Sequence, residues 1–298
     1  MGLFRKSKKD KHVTQITVHD ATEQEPALKK AEAAAPTSNP LRPIEKTRVI
    51  VVANQKGGVG KTTTSINLSA YLAVHGHRVL IIDLDPQGNA SSGLGLETST
   101  LETCIYDVLM KRADIDHIIA PTGIEHLYIA PASFRLVGAQ VELVNMISRE
   151  ARLREIIEPL KGQYHFVIIY CPPSLGLLTV NALTAAEELD IPVQSEYYAL
   201  EGLTQLLESI NEIRKYLNPN LKLAGLLMTM YDARTKIAQE VVEEVKSHFP
   251  GQVYMTVIPR SVRLSEAPSY GQAIVSYDAL SRGAVAYKEL AEEVMRHG

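Results

Sequence analysis

The sequence predicts an α/β fold: one doubly wound, mainly parallel sheet of about seven to eight strands, with helices on both faces. Three observations predict this fold. From Arg48 onward short apolar runs alternate with longer helical patterns, most of the runs are hydrophobic throughout, and a glycine-rich turn joins the first run to the first helix. Such alternation is typical of βαβ units, and strands covered on both faces lack polar alternation.

Seven apolar runs are predicted to be strands, and six helical patterns lie between or after them. The strands are 50–53, 79–82, 127–130, 166–169, 191–193, 223–228 and 253–258. The helices are 62–75, 149–161, 176–188, 200–217, 235–249 and 283–296. Because the sequence has no internal repeat, we expect residues 47–298 to form a single domain.

Residues 1–46 are predicted to be a disordered N-terminal extension. They combine a basic start with Glu, Ala, Pro, Thr and Ser and show no sustained apolar period. Two interpretations remain open. The segment is either a solvated tail or a short contact with an anionic DNA or lipid surface, made by Leu3 and Phe4 beside five basic residues.

The overall composition excludes several classes of protein. No apolar stretch reaches the roughly 18–20 residues of a transmembrane segment, and no apolar h-region follows the basic start. The only two cysteines, Cys104 and Cys171, are far apart and indicate neither a disulfide framework nor a zinc site. A reducing cytoplasm is therefore expected. The net charge of −3 means that nucleic-acid binding would require a local basic surface.

Residues 54–62 read Asn-Gln-Lys-Gly-Gly-Val-Gly-Lys-Thr and lie between a predicted strand and a predicted helix. Glycines in such a loop let several backbone amides point inward at the positive end of the helix, where a polyphosphate binds. Lys61 can reach the β- and γ-phosphates, and the Thr62 hydroxyl can ligate Mg²⁺. The predicted nucleotide-binding residues of the loop are Lys56, Gly57, Gly58, Val59, Gly60, Lys61, Thr62 and Thr63.

The loop departs from the generic phosphate-loop pattern in one respect. That pattern requires a glycine five residues before Gly60, but Gln55 stands there and a second lysine, Lys56, follows it. The run Lys-Gly-Gly-x-Gly-Lys-Thr is the deviant Walker A form of a P-loop NTPase. A dinucleotide-binding fold would need Gly-x-Gly-x-x-Gly, which the loop does not supply.

Four further stretches carry distinctive runs. They are 79–89 (Val-Leu-Ile-Ile-Asp-Leu-Asp-Pro-Gln-Gly-Asn), 171–179 (Cys-Pro-Pro-Ser-Leu-Gly-Leu-Leu-Thr), 192–202 (Pro-Val-Gln-Ser-Glu-Tyr-Tyr-Ala-Leu-Glu-Gly) and 256–268 (Thr-Val-Ile-Pro-Arg-Ser-Val-Arg-Leu-Ser-Glu-Ala-Pro). Together with the loop they resemble the ParA/Soj chromosome- and plasmid-partition ATPases of the MinD/ParA superfamily. The resemblance covers nearly all of residues 48–297.

The resemblance implies the cofactors ATP and Mg²⁺ and assigns roles to particular residues. Lys56 would reach across an ATP-bound sandwich homodimer to the partner's nucleotide, as an arginine finger does. Asp85 would position the attacking water. Asp83 lies close by in the sequence, and it either organises Mg²⁺-bound waters or the loop, or takes part in the chemistry. Thr62, Asp83 and Asp85 form the expected metal site, and Pro259 is expected beside the nucleotide.

The resemblance also implies binding to non-specific DNA in the ATP-bound dimer. The basic positions of the family match Arg234 and Arg263, and Arg260 is expected beside them, with Lys236 and Arg282 as extensions. A dimer doubles the number of phosphate contacts, so dimerisation would control affinity for DNA. The expected partner is a ParB-like centromere-binding protein, and the expected location is the cytoplasm, at the nucleoid.

Tyr170 departs from the family pattern, which has the Walker B aspartate at this position. A phenol has an ordinary pKa of about 10, so it is neutral at pH 7 and cannot supply that negative charge. Two outcomes remain open: Asp83 and Asp85 compensate, or the protein binds ATP well and hydrolyses it slowly. The alternative function is an ATP-binding dimerisation switch, or positioning adaptor, with little hydrolysis.

Two related groups of proteins have the same loop, and each requires a further sequence feature. A MinD-like membrane ATPase needs a basic amphipathic C-terminal helix. The segment after Leu290 has too few basic and apolar residues for one. A nitrogenase-type iron protein needs two cysteines per subunit at a shared cluster. Cys104 lacks a matching context, and we expect both cysteines to be small buried residues.

Overall fold

The computed structural model describes residues 38–196 and 199–297, which contain a seven-stranded sheet. The strands are β1 (Arg48–Val52), β2 (Val79–Asp83), β3 (Ala120–Pro121), β4 (Leu127–Ala130), β5 (Phe166–Tyr170), β6 (Glu188–Gln194) and β7 (Lys222–Thr229). Their spatial order is β3-β4-β2-β5-β1-β6-β7. All neighbours are parallel except β3 and β4. The predicted fold class is confirmed.

The helices cover both faces of the sheet and divide the core into two layers. They are α1 (Lys61–Val74), α2 (Asn89–Gly93), α3 (Ile105–Leu109), α4 (Leu136–Glu142), α5 (Arg152–Ile157), α6 (Leu177–Ala185), α7 (Ala199–Tyr216), α8 (Lys236–His248), α9 (Val262–Glu266), α10 (Ile274–Tyr277) and α11 (Arg282–Arg296). One layer contains buried residues of α1 and α11, and the other contains those of α3 to α8. Because both faces are covered, strands such as β2 and β5 are buried throughout and read as unbroken apolar runs.

The register of the sheet brings the ends of three strands together. Tyr170, the last residue of β5, lies opposite Val52 of β1 and Asp83 of β2. The loop after β1 and the loop after β2 therefore leave the sheet at the same level. Open α/β sheets bind their ligands at this carboxyl edge.

The prediction of a strand over 253–258 is wrong. Only Val253 forms a bridge, to Leu226, although Ile258 still donates its backbone N–H to Met228. The buried carboxylate of Glu293 in α11 accepts the backbone N–H groups of Met255 (2.7 Å) and Thr256 (3.0 Å). Of these donors, the Thr256 N–H is in phase with those of Tyr254 and Ile258, which do bond to β7, so a tertiary contact overrides the local pattern.

Two predicted helices are shorter than expected. The helix predicted over 149–161 is α5 followed by a 3₁₀ turn, Glu158–Leu160, which contains Pro159. The helix predicted over 176–188 ends at Ala185, because β6 begins at Glu188. The short helices α2, α3, α4, α9 and α10 were not predicted, because none is long enough to show a clear helical period.

Residues 38–46 lie along the end of α1. The N–H groups of Asn39 and Arg42 donate to carbonyl groups of Val74 and Gly76, both at 2.9 Å. The remainder of the predicted extension, residues 1–37, lies outside the described residues, so the domain boundary at residue 47 stays a prediction. Within 38–196 and 199–297, no helix combines the length and apolar character needed to cross a bilayer.

Candidate nucleotide site

The glycine-rich loop follows β1 and ends where α1 begins. Gly58 and Gly60 have positive φ angles of 75° and 93°, a conformation that side chains disfavour. A Cβ atom at Gly57 or Gly58 would meet nothing within 4 Å, so these positions border open space. Thr229, at the end of β7, packs against Gly60 and donates its hydroxyl to the Val59 carbonyl at 2.8 Å. The loop is an open cradle at a helix N-terminus, where anions bind.

Lys61 directs its ammonium group into this cradle. Its Nζ donates to the Lys56 carbonyl at 2.8 Å, and the side chain is 5% exposed. Burial lowers the pKa of Lys61, while the nearby Cys171 and Asp85 act in the opposite direction. A phosphate in the cradle would provide the negative charge that a buried ammonium group requires.

Lys56 lies at the rim of the loop. Its Nζ is 3.1 Å from Glu196 Oε2, and the two side chains are 49% and 51% exposed. Ion pairs with this exposure contribute about 0–1 kcal/mol, so releasing Lys56 costs little. The backbone before it is anchored, because Asn54 Oδ1 accepts the Lys56 N–H at 3.0 Å and Asn54 Nδ2 donates to the Pro192 carbonyl at 2.8 Å. The side chain is therefore mobile on a fixed backbone.

Asp83 is the last residue of β2 and is completely buried. Its Oδ1 accepts the Asp85 N–H at 3.0 Å, and its Oδ2 accepts both the N–H (2.9 Å) and the hydroxyl (2.7 Å) of Ser91. Burial raises its pKa to about 7, although the hydrogen bonds from Ser91 act against this shift. Both oxygens of Asp83 therefore hold the turn after β2.

Asp85, Tyr170 and Thr62 form a chain of hydrogen bonds across the carboxyl edge of the sheet. The Thr62 hydroxyl donates to the Tyr170 hydroxyl at 2.8 Å, which in turn donates to Asp85 Oδ2 at 2.8 Å. Asp85 Oδ1 accepts the Gln87 N–H at 3.0 Å. Burial, reinforced by the charge of Asp85, raises the pKa of Tyr170 further above its ordinary value, so the phenol stays neutral.

These residues fit a magnesium–nucleotide complex. Because Thr62 directs its hydroxyl proton at Tyr170, its lone pairs remain available to a cation. No cluster of three or more His, Cys, Asp or Glu among residues 38–196 and 199–297 is arranged to hold a metal alone. Mg²⁺ usually keeps several waters and binds through one or two protein groups together with substrate phosphates, so a sparse donor set suits it.

Comparisons with known proteins agree with this arrangement. A family model described as an AAA domain matches residues 47–223. The sporulation initiation inhibitor protein Soj of Bacillus subtilis is 56% identical over 251 residues, which cover 84% of this chain and 99% of that protein. The chromosome partitioning protein ParA of Myxococcus xanthus is 51% identical over 249 residues, which cover 84% of this chain and 88% of that protein.

The chain belongs to the Soj/ParA family of chromosome-partitioning ATPases.

A solved structure with a bound nucleotide is also similar to this chain. Cobyrinic acid a,c-diamide synthase from Mycobacterium smegmatis, crystallised with ADP and magnesium, is 38% identical and superposes with a TM-score of 0.75. The match covers 84% of this chain and 95% of that one. ATP and Mg²⁺ are therefore the cofactors consistent with this Soj/ParA fold.

The three arginines predicted to contact DNA lie outside the nucleotide cradle. The side chain of Arg234 is 88% exposed and pairs with Asp232 at 2.6 Å. Arg260 is exposed in the next loop and donates its backbone N–H to the Tyr231 carbonyl at 3.0 Å, while Pro259 forms a bridge with Tyr231. The loops that carry Arg234 and Arg260 are therefore adjacent.

Arg263 lies in α9, and its exposed guanidinium pairs with Glu266 at 3.0 Å and Asp278 at 3.4 Å. Exposed pairs of this kind contribute little to stability. These ion pairs can therefore open at small cost.

The structure gives physical reasons against the two related groups. The apolar face of α11 packs into the core beside α1, with Tyr287 and Leu290 buried, so it is not available to a membrane. Cys104 and Cys171 both have no exposed surface, and burial raises the pKa of Cys171 well above its ordinary value. A cluster shared between subunits would need accessible thiolates.

A cavity of about 1160 Å³ lies at the opposite edge of the sheet, beside the first residues of β1, β5 and β6. Its lining includes Arg48, Glu188, His77 and His165. Arg48 and Glu188 pair with each other at 2.6 Å. None of the predicted site residues borders this cavity.

The structure brings most of the sequence-predicted site together. Lys56, Lys61, Thr62, Asp83 and Asp85 surround one carboxyl edge. Arg234 and Arg260 lie on neighbouring loops, and Arg263 lies in α9. Sequence reasoning assigned no role to Glu196 or Thr229. Each lies at or just beyond the carboxyl end of a parallel strand, β6 and β7 respectively, and that position is the signal that would have identified them.

Proposed function

We propose that this protein is an ATP-dependent, dimerising DNA-partition protein of the Soj/ParA type, located in the cytoplasm at the nucleoid. It would bind non-specific DNA as an ATP sandwich dimer and hydrolyse ATP under stimulation by a ParB-like partner, thereby segregating a chromosome or plasmid. The observation that carries the proposal is Lys56, which stands at the rim of an open phosphate cradle and whose ammonium group forms an exposed ion pair with Glu196.

The loop residues account for nucleotide binding within one protomer. The amides around Gly58 and Gly60 and the ammonium group of Lys61 would hold the phosphates. The Thr62 hydroxyl and Asp85 would hold Mg²⁺, which would neutralise phosphate charge when bound. Asp85 would also orient the attacking water.

Lys56 would couple ATP binding to dimerisation. Its ammonium group is free to leave Glu196 at small cost and reach a nucleotide on a second protomer. A cation delivered across the interface stabilises charge on the transferred phosphoryl group only in the assembled dimer. Hydrolysis would therefore depend on dimerisation.

DNA binding would depend on Arg234, Arg263 and Arg260. Each arginine that neutralises a phosphate releases counterions and contributes about 0.9 to the slope of log affinity against log salt concentration. Arg234 and Arg263 together provide two contacts per protomer and four per dimer. Their loss should therefore reduce that slope by roughly 3 to 4.

The test measures DNA retention in ATP and Mg²⁺ at a series of salt concentrations. We expect the wild type to be retained strongly at low salt, and the double variant Arg234→Ala/Arg263→Ala to lose retention while binding ATP normally. Lys215→Ala/Lys222→Ala is a matched control that removes two exposed cations elsewhere. Retention unchanged by the arginine substitutions would refute the assignment of these residues.

The second candidate function is an ATP-binding dimerisation switch with little hydrolysis. The neutral Tyr170 at the Walker B position favours this alternative, since it supplies no anion of its own. Steady-state ATP turnover distinguishes the two. A partition ATPase should be stimulated by DNA and a ParB-like partner, whereas a switch should show the same low rate under all conditions.

A further inference from the structure

Tyr170 lies between two groups that a magnesium–nucleotide complex would need. Its hydroxyl accepts from Thr62 and donates to Asp85, both at 2.8 Å. A phenol can do both at once, because its oxygen has one proton and two lone pairs. The side chain is 2% exposed, and its backbone carbonyl accepts the Leu84 N–H at 2.9 Å, so the hydroxyl is held in place.

The direction of the two hydrogen bonds is significant. Thr62 has a single hydroxyl proton, and it points to Tyr170, so the lone pairs of Thr62 Oγ1 remain free. The proton of Tyr170 points to Asp85, so the chain ends on a carboxylate. The neutral Tyr170 thereby connects Thr62, the expected Mg²⁺ ligand, to the carboxylate of Asp85.

Asp85, and not Asp83, is the anion in this arrangement. Asp83 already accepts three hydrogen bonds from the turn after β2, whereas Asp85 accepts one on each oxygen and retains lone pairs on both. Only Asp85 contacts Tyr170 through its side chain. The compensation left open by the sequence thus has a single structural candidate.

We propose that Tyr170 is a positioning residue that links the Thr62 hydroxyl to Asp85, so that Asp85 supplies the anion which the residue at position 170 supplies in the Soj/ParA pattern. This inference rests on the proposed ATP binding. It deepens that proposal by assigning the magnesium dependence of binding to a threonine–tyrosine–aspartate chain. Tyr170 itself does not touch the nucleotide.

The experiment compares ATP affinity in excess Mg²⁺ with ATP affinity in EDTA, using equilibrium binding of a fluorescent ATP analogue. For Tyr170→Phe, which keeps the ring and removes the hydroxyl, we expect the ratio of the two affinities to fall about tenfold. Affinity in EDTA should remain within about twofold, because the loop amides and Lys61 are unchanged. Tyr287→Phe is the matched control, since Tyr287 is a buried tyrosine whose hydroxyl lies 3.1 Å from that of Thr64 in the same helix α1.

A second comparison tests the role of Asp85 and does not depend on Tyr170→Phe folding. Asp85→Asn should lower the affinity ratio about tenfold in the wild type. In a Tyr170→Asp background, where residue 170 has its own carboxylate, the same substitution should lower it less than about threefold. Thermal melting of each variant establishes that it is folded.

The outcomes separate this inference from the proposed function. A wild-type protein that does not bind the ATP analogue contradicts the proposed function. If the wild type binds the analogue but Tyr170→Phe has the same ratio of affinity in Mg²⁺ to affinity in EDTA, the role of Tyr170 is overturned. Equal losses of affinity in both conditions give this result. Equal effects of Asp85→Asn in both backgrounds overturn the assignment of the anion.

Discussion

Asp190 is a carboxyl group buried within the central sheet. It lies on β6 opposite Val52 of β1, and its Oδ1 accepts the Tyr254 hydroxyl at 2.6 Å. Burial raises the pKa of Asp190 to about 7, and the neighbouring charge of Glu188 reinforces this while Arg48 opposes it. A group in this position makes the free energy of unfolding depend on pH.

The sign of that dependence follows from the direction of the shift. Between about pH 4 and pH 7 the folded state holds a proton that the unfolded state has lost. The stabilising contribution is therefore complete below pH 4 and is lost as pH rises through 7. Asp83, whose pKa is also raised to about 7, acts in the same direction.

We predict that Asp190→Asn reduces the loss of thermal stability between pH 5 and pH 8. Asparagine keeps an acceptor for Tyr254 but has no proton to lose, and each kcal/mol corresponds to about 2–4 °C in Tm for a chain of this size. Melting curves of the wild type, Asp190→Asn and the exposed-site control Asp116→Asn measure the effect. A fall in Tm that is the same in all three would contradict the account.

At the scale of elements, the segment 253–258 shows why part of the fold was not predictable from the sequence. Its apolar pattern is that of a strand, and its local propensity agrees. The competing acceptor is Glu293, which lies 37 and 38 residues later in the chain. A contact over that distance leaves no mark on the local pattern, whereas β2 and β5 were predicted because their complete burial is visible as apolar runs.

The candidate site likewise has a part that could be predicted from the sequence and a part that could not. The glycine loop, Lys56, Lys61 and Thr62 are adjacent in sequence, so their joint role was visible from spacing alone. The pairing of Lys56 with Glu196, and of Tyr170 with Asp85, depends on the order of strands in the sheet. Sequence reasoning identified Tyr170 as an exception but could not show what its hydroxyl contacts.

We predict that Glu293→Ala destabilises the segment 253–258. The substitution leaves the N–H groups of Met255 and Thr256 without their acceptor, at a cost of about 1–3 kcal/mol. Hydrogen exchange should accelerate at both amides, and Tm should fall, whereas Glu292→Ala, at the adjacent and partly exposed residue on α11, should leave exchange at both amides unchanged. Unchanged exchange at residues 255 and 256 in Glu293→Ala would show that the carboxylate does not hold this segment.

At the scale of the whole molecule, the proposed function depends on one event, the association of two protomers around ATP. The phosphate cradle and the weakly held Lys56 lie on a loop at one edge of the sheet, and the exposed arginines lie on the loops of Arg234 and Arg260 and on α9. Arg234 and Arg263 are held by exposed carboxylates, and the proposed DNA phosphates would replace these partners. The central claim is therefore that ATP, through Lys56, controls assembly, and that assembly controls DNA binding.

The most direct test is the mass of the protein in solution, measured by sedimentation or light scattering in ATP with Mg²⁺ and in ADP with Mg²⁺. We predict a dimer of the 32.8 kDa chain in ATP and a monomer in ADP. Lys56→Ala should stay monomeric in both while still binding ATP, and the control Lys46→Ala, whose lysine pairs with Glu187 at the opposite edge, should behave as the wild type. A Lys56→Ala protein that dimerises in ATP as the wild type does would contradict the account.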